Sequence, residues 1–254
     1  MLLGDSEGNK YDPFVVFNVR PSTKPENQVE NIQRRKGFGI HIWKSIRKAQ
    51  AETGMQIHGN GKGWWDAKLT LEWLKHHFGS RENLKQPVLL LLDDFSGHWT
   101  TEVAEYAKVI NVTLMKVPAN ATSVSQPADA TWNGPVKTRL RNTWIRCLQE
   151  QLAARVPGVP FKLKPPDRAL LCQWVWAAWR DVSASTIRAG FRQCGLVQHD
   201  EDVSDVPEQV EALNADEDVF QAMLHSDLID TTVEPFTLED DFDDLFRAIA
   251  RADE

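Results

Sequence analysis

The feature that most constrains this chain is a continuous apolar run, Val88–Leu92, bounded by Pro87 and Asp93. Five consecutive apolar residues of this kind are typical of a central strand that is covered on both faces. Asp93 then stands at the carboxyl end of the strand, which is where ligand sites form in open α/β sheets. The run therefore predicts an α/β domain with a possible site at Asp93.

The segments before this strand predict a hairpin, a loop and a further strand. Short apolar runs at residues 2–3 and 14–17 flank the polar turn of residues 4–9, which indicates a β-hairpin. Residues 18–36 are polar and contain prolines, so they are interpreted as a loop. Residues 38–43 alternate between apolar and other residues, which predicts a third strand.

The rest of the first 199 residues predicts helices and one more strand. A strand is expected at residues 112–117, and the final short helix is expected between Ser183 as N-cap and Gly195 as C′ residue. Helices are predicted at residues 66–78, 100–108, 132–154 and 167–182. This order favours an α/β fold with a mixed β-sheet flanked by α-helices.

Charge divides the chain into two parts. Residues 1–199 hold 27 Lys and Arg against 17 Asp and Glu, whereas residues 200–254 hold two Arg against 19 acids. We therefore expect a basic core domain and an acidic C-terminal tail. A basic surface suits a polyanion, since neutralised phosphates release counterions, although it can also serve only solubility.

Asp93 and Asp129 are the acids that could carry chemistry. Asp129 precedes the predicted long helix, near the positive end of its dipole. Hard cations such as Mg²⁺ use one or two protein carboxylates and keep water and phosphate as further ligands. An Asp after a strand is often only a turn residue, however, and an Asp before a helix is often only an N-cap.

A resemblance adds to these observations. Residues 89–98, Leu-Leu-Leu-Leu-Asp-Asp-Phe-Ser-Gly-His, resemble the strand, Asp and His segment of the DDE superfamily endonucleases. The nearest branch is pogo/Tigger/jerky, which includes the relatives of centromere protein B. Residues 117–129 resemble that branch's Pro-Asn-x-Thr-Ser-x-x-Gln-Pro-x-Asp block, and Lys137 falls where the family has a lysine. The 35 residues between Asp93 and Asp129 match the family's separation of its second and third acids.

The resemblance implies a ribonuclease-H-like core over residues 1–199. It implies Mg²⁺- or Mn²⁺-dependent cleavage and transfer of DNA strands in the nucleus, with Asp93 and Asp129 as the second and third metal ligands. The family's first acid lies on a strand before the one that opens this chain, so we expect no counterpart to it here. Whether the chain is an enzyme is therefore left open, and the alternative is an inactive nucleic-acid-binding or protein-interaction module.

Several basic residues and His98 are predicted to contact nucleic acid. The basic residues are expected to bind phosphates, or else to form a solvated face. They are Lys137, Arg139 and Arg141 on the predicted long helix, and Arg34, Arg35 and Lys36 before the third predicted strand.

The acidic tail, residues 200–254, is expected to be partly disordered. Apolar residues spaced through residues 236–249 suggest an amphipathic helix. This helix would dock on a protein partner or fold back onto the basic core, and the alternative is a solubilising tail. No membrane association is expected, because no stretch reaches the roughly 20 apolar residues of a spanning helix.

Overall fold

The computed structural model describes residues 1–118, 122–156, 159, 161–198 and 205–213. Strands and helices follow one another along these residues. The strands are β1 (Phe14–Asn18), β2 (Gln56–Asn60), β3 (Val88–Leu92) and β4 (Val112–Lys116). The helices are α1 (Pro25–Arg34), α2 (Ile40–Thr53), α3 (Ala67–Leu74), α4 (Thr101–Val109), the single turn α5 (Thr122–Ser125), α6 (Asn133–Ala153), α7 (Arg168–Arg180) and α8 (Ala184–Gln193). Within the described residues, no helix combines the length and the apolar character needed to cross a bilayer.

The described strands form two parallel pairs, β1 with β2 and β3 with β4. The predicted strand Val88–Leu92 is confirmed as β3, and Leu90 lies opposite Leu114 in β4. Leu90 and Leu92 are buried, but Leu89 is 53% exposed. The prediction that both faces are covered is therefore wrong for Leu89, because the side chains of a strand alternate between its two faces.

The predicted N-terminal hairpin forms only as a turn. Gly4 and Lys10 make an isolated antiparallel bridge, and Oδ1 of Asp5 accepts hydrogen bonds from the amides of Glu7 and Asn9. The second predicted strand does form, but it pairs in parallel with β2. The sequence pattern therefore predicted the turn correctly, but it predicted the wrong pairing partner for β1.

Two segments before β2 are helical where the sequence predicted otherwise. Within the predicted loop, α1 begins with Pro25 in its first turn, where proline is favoured because its missing N–H has no helical partner. The predicted strand at residues 38–43 is wrong, because α2 begins at Ile40. The alternation there is short, and beyond it Ile46 and Ala49 continue at helical spacing as the buried face of α2.

The helices α3, α7 and α8 begin at capping side chains, and the predicted N-cap Ser183 is confirmed for α8. The side chains of Asp66, Asp167 and Ser183 each accept a hydrogen bond from the backbone N–H three residues later, at the starts of α3, α7 and α8. Gly195 follows α8 with φ +65°, as expected for a C′ residue. The long helix α6 is also confirmed, with Pro135 in its first turn.

Three clusters of buried side chains hold these elements together. The first surrounds Ile57 of β2 and includes residues of α2, α6 and α7. The second surrounds Trp73 of α3 and includes β3 and α4. The third surrounds Ile187 of α8 and joins that helix to α6 and α7. The helices α6 and α8 are therefore fixed relative to each other by apolar packing.

Residues 205–213 of the predicted tail lie along α6 and α8 without forming a helix or strand. The predicted amphipathic helix at residues 236–249 lies outside the described residues.

Candidate catalytic and nucleic-acid site

A cavity of about 970 Å³ opens along β3. All five residues of β3 line it, together with residues 1–7 at the chain's start. Residues 126–128 and the first turn of α6 line it from another side, and Phe191 of α8 also reaches it. The carboxyl end of β3 and the beginning of α6 therefore border one space.

Asp93 directly follows β3 and lines this cavity. Its Oδ1 accepts a hydrogen bond from the amide of Phe95 at 3.0 Å, and its carbonyl accepts one from Nε1 of Trp99 at 2.9 Å. The side chain is still 42% exposed. These contacts fix the orientation of the carboxylate while leaving part of it open to a ligand.

His98 lines the same cavity as Asp93 and is only 4% exposed. Its Nε2 is 3.5 Å from Oδ1 of Asp93, and its Nδ1 is 3.0 Å from Oγ1 of Thr70 in α3. Burial lowers the pKa of His98, and the nearby Asp93 carboxylate opposes this shift. A neutral imidazole held between Thr70 and Asp93 suits a role in positioning the carboxylate, and the expected contact with nucleic acid stays a prediction.

Asp94 is oriented differently from its neighbour. Its Oδ1 pairs with Nζ of Lys116 at the end of β4, and that ammonium lies 4.8 Å from the centroid of the Trp99 ring. Asp94 is not among the residues that line the cavity. It therefore offers a matched control for Asp93.

Asp129 lies in a turn of π-helix, Ala128–Trp132, that leads into α6. Its Oδ1 accepts a hydrogen bond of 2.6 Å from Nδ2 of Asn133. Asn133 lines the same cavity as Asp93. Asp129 itself is not among the residues that line the cavity, and its carboxylate is linked to the cavity only through Asn133.

The turn that carries Asp129 is anchored to α8. The hydroxyl of Thr131 donates to the carbonyl of Thr186 in α8 at 2.9 Å. A Cβ at Gly190 would lie 2.6 Å from Oγ1 of Thr131 and 2.8 Å from the carbonyl oxygen of Pro127. Only glycine allows α8 to approach this closely, so Gly190 helps to fix the position of Asp129.

The basic residues predicted on α6 have different surroundings. Lys137 is exposed and lines the cavity. Arg139 makes a two-point ion pair with Glu208, at 2.7 and 2.9 Å. Arg141 is partly buried and also engaged in a contact. Of the three, Lys137 faces the space beside Asp93.

The predicted patch Arg34, Arg35 and Lys36 lies at the end of α1, and its residues do not line that cavity. Arg34 is exposed. Arg35 is buried and pairs with Glu30 at 2.9 Å. Nζ of Lys36 donates to the side-chain carbonyls of Gln50 and Gln56, and burial lowers its pKa. Arg35 and Lys36 thus serve internal contacts in this structure, and phosphate binding by the patch stays a prediction.

The family of the chain follows from comparison with known proteins. The DDE superfamily endonuclease profile matches residues 6–191, which is most of the chain. The chain belongs to the DDE superfamily endonuclease family. The matched region includes β3 and Asp93, the turn with Asp129, and the helices α6 and α8.

Relatives within this family support the pogo branch. The chain is 28% identical over 165 residues to the human protein "Pogo transposable element with KRAB domain", which covers 63% of this chain and 26% of that protein. The mouse protein of the same name is 28% identical over 164 residues, with the same coverage. "ARS-binding protein 1" of Schizosaccharomyces pombe is 26% identical over 144 residues, which is 54% of this chain and 26% of that protein. The chain therefore spans about a quarter of the length of these relatives, and no solved structure matches it.

Family membership confirms the predicted fold class. DDE superfamily endonucleases are ribonuclease-H-like, and the described residues have the α/β arrangement of helices and parallel strands expected of this class. The predicted relation to the pogo/Tigger branch is confirmed as well.

The carboxylates of Asp93 and Asp129 are of the chemical type that a hard divalent cation binds. Asp93 and Asp129 each use Oδ1 in a hydrogen bond, and no described residue bonds to the Oδ2 of either. Two carboxylates with water and phosphate are a usual set for Mg²⁺. Within the described residues, however, no three His, Cys, Asp or Glu side chains are grouped so that they could hold a metal.

Sequence reasoning missed Asn133 and Gln126 as members of this site. Both line the cavity, and Oε1 of Gln126 is buried with no hydrogen-bond partner in the structure. Asn133 could have been found from its spacing, because a residue four positions after Asp129 lies on the same helical face. Gln126 is the Gln of the Gln-Pro-x-Asp part of the block that residues 117–129 resemble, and that motif was its signal.

Proposed function

We propose that this chain is a transposase-derived endonuclease domain that binds DNA and cleaves or transfers its strands with Mg²⁺ or Mn²⁺. The observation that carries the proposal is the DDE family match together with one cavity bordered by Asp93, by Lys137 and by the hydrogen-bond partner of Asp129. In this proposal Asp93 and Asp129 hold the metal, which would activate a water or a 3′-hydroxyl and stabilise the leaving oxygen.

In this proposal some side chains position the two carboxylates and one binds a phosphate. The amide of Phe95 and the ring of His98 hold Asp93 in place. Asn133 does the same for Asp129. Lys137 would hold a phosphate at the cavity, because an exposed ammonium there can bind the DNA backbone without reading its sequence.

The catalytic part is tested by nicking of supercoiled DNA with Mg²⁺ or Mn²⁺. Asp93→Asn and Asp129→Asn should each lower the rate by about two orders of magnitude or more, because each removes a carboxylate that would hold the metal. Asp94→Asn is the matched control and should keep the rate, since Asp94 pairs with Lys116 away from the cavity. Equal rates for the parent chain and Asp93→Asn would refute catalysis at this site.

A second function is favoured by one observation, the lack of a three-ligand group among the described residues. In this alternative the chain is a nucleic-acid-binding or protein-interaction module that has lost catalysis. It predicts DNA binding that is unchanged by Asp93→Asn and no nicking with either metal. Metal-dependent nicking above background would reject it.

The relatives bear on location and partners. One is named as a transposable-element protein and another as an ARS-binding protein. By analogy we propose that this chain acts on DNA in the nucleus. We also propose the acidic residues 200–254 as a contact for a protein partner, because an acidic segment is complementary to a basic surface on another protein.

A further inference from the structure

An acidic segment, residues 205–213, occupies a surface formed by α6 and α8. Asp205 and Glu208 are the acids of this segment that make ion pairs there. The surface contributes three arginines: Arg139 from α6, and Arg188 and Arg192 from α8. These three are called the arginine surface below.

Asp205 is the most enclosed acid of the segment, with its side chain only 4% exposed. Arg188 donates to both of its oxygens, from Nε and Nη2, each at 2.9 Å. Arg192 contacts the same carboxylate. These hydrogen bonds hold the pKa of Asp205 below its ordinary value. Two guanidinium groups thus surround one anionic group, an arrangement that arginine also makes with phosphate.

Glu208 makes the second ion pair of the segment. Arg139 donates to both of its oxygens, at 2.7 and 2.9 Å. The amide of Glu208 donates to Oγ1 of Thr186 at 3.0 Å. The planar guanidinium of Arg139 matches a carboxylate and a phosphate equally well in geometry.

Asn142 of α6 holds the backbone of the same segment. Its Nδ2 donates to the carbonyl of Glu211, and its Oδ1 accepts from the amide of Leu213, both at 2.8 Å. The side chain of Glu211 is exposed and makes no ion pair with a described residue. The acids at positions 205 and 208 therefore bind arginines, whereas the acid at 211 does not.

We propose that the arginine surface is a binding site for the phosphates of a nucleic-acid backbone, and that the carboxylates of Asp205 and Glu208 occupy it in the absence of nucleic acid. The inference rests on the proposed DNA binding and deepens it by naming a site and its competitor. Arg139 stands two residues after Lys137 on α6, so the two side chains leave different sides of the helix and the arginine surface is separate from the cavity. Phosphate and the acidic segment would compete, since both need the same guanidinium groups.

The first test measures the affinity of the full chain for a short fluorescent DNA duplex by anisotropy, in EDTA so that no cleavage occurs. The double variant Asp205→Asn/Glu208→Gln should bind at least about fivefold more tightly than the parent chain, because the competitor is weakened. Glu105→Gln/Glu211→Gln removes the same charge from exposed acids outside the arginine surface and should change affinity less. Equal gains in both double variants would overturn the proposal in favour of a general charge effect.

The second test removes the arginines. Arg139→Ala and Arg188→Ala, introduced together into the Asp205→Asn/Glu208→Gln chain, should abolish its gain in affinity. Arg47→Ala is the control, because Arg47 is exposed on α2 and lies away from this surface. Retention of the gain without Arg139 and Arg188 would also overturn the proposal.

A third test remains usable even if Asp205→Asn destabilises the fold, which a thermal melt would show. Glu208→Gln and Glu211→Gln are then compared as single variants, since the Glu208 side chain is only partly buried. A synthetic peptide of residues 205–213 should compete with DNA for the Glu208→Gln chain, and a peptide with both substitutions should not. If the two single variants bind DNA with equal affinity, the segment stabilises the fold but does not compete with DNA.

The outcomes separate this inference from the proposed catalytic function. A chain that nicks DNA with metal but gains no affinity on Asp205→Asn/Glu208→Gln refutes only the arginine surface. A chain that never nicks DNA but shows the gain refutes only catalysis. If no chain binds DNA under any of these conditions, both proposals fail.

Discussion

At the scale of single residues, burial holds His58 and His77 neutral, and His77 also lines the cavity beside Asp93. His58 stacks on the ring of Phe14 at a centroid distance of 5.5 Å, and His77 lies edge-on to Trp73 at 5.4 Å. Burial lowers the pKa of each to about 4. Nε2 of His77 is buried without a hydrogen-bond partner in the structure, so an N–H at this atom would have no acceptor.

These histidines predict a loss of stability in mild acid. Between about pH 6.5 and pH 4 the unfolded chain binds protons that the folded chain does not, so the free energy of unfolding should fall as the pH falls. His77→Gln should lose less stability over this window than the parent chain. Urea unfolding at pH 7 and pH 5 checks this, and an equal loss in both proteins would contradict it.

The ion pair of Asp205 does not contribute to the change of stability in that pH window. The pKa of Asp205 is lowered by its hydrogen bonds from Arg188, so its stabilising effect is present above about pH 3.9, the ordinary value for Asp. It is lost only as the pH falls through the lower, folded value. The Asp205 contribution therefore changes below the histidine window.

At the scale of elements, the junction between α1 and α2 depends on a close approach to β2. Gly37 has φ +98°, and a Cβ there would lie 1.8 Å from the carbonyl oxygen of Gly59. The amide of Gly59 in turn donates to the carbonyl of Lys36 at 2.8 Å. The junction and the strand are thus joined through backbone, which leaves no room for a side chain at Gly37.

Gly37→Ala should therefore destabilise the fold by more than about 1 kcal/mol, since both the φ angle and the contact are unfavourable for alanine. Gly39→Ala is the matched control. Gly39 has ordinary extended dihedrals, and no atom lies within 4 Å of a Cβ placed there. Chemical denaturation of both variants checks this prediction, and similar midpoints for the two would show that the junction adapts.

At the scale of the whole molecule, charge is the property that links the proposals. The core is basic, the C-terminal part is acidic, and the described piece of that part, residues 205–213, pairs with arginines of the core. Carboxylates of the same chain that pair with these arginines reduce the positive electrostatic potential at the surface that DNA would contact. The net charge of −7 for the chain therefore says little about the surface that a nucleic acid would contact.

The proposed DNA contacts predict a strong dependence on salt. If Lys137 and the three residues of the arginine surface each neutralise one phosphate, affinity should fall about a hundredfold between 50 and 200 mM monovalent salt. The logarithm of affinity plotted against the logarithm of salt concentration measures the slope for the Asp205→Asn/Glu208→Gln chain. A flat plot would exclude backbone contacts as the basis of binding.

The sequence by itself determined the features that depend on neighbouring residues. The apolar run of β3 and the acid that follows it could be predicted, because a continuous apolar segment has few other stable placements. The starts of α3, α7 and α8 were also predictable, because a capping side chain bonds to an amide only three residues away. The position of Asp129 ahead of α6 was also predicted, although its side chain bonds to Asn133 and caps no helix.

Features that join distant parts of the chain became visible in the folded structure alone. The partner of β1 is β2 and not the N-terminal segment, and the alternating residues before Ile46 became helix because the buried face of α2 packs on the core. Arg139 meets Glu208 although they are 69 residues apart in sequence. Such contacts depend on which faces are buried together in the folded chain, and no local pattern encodes that choice.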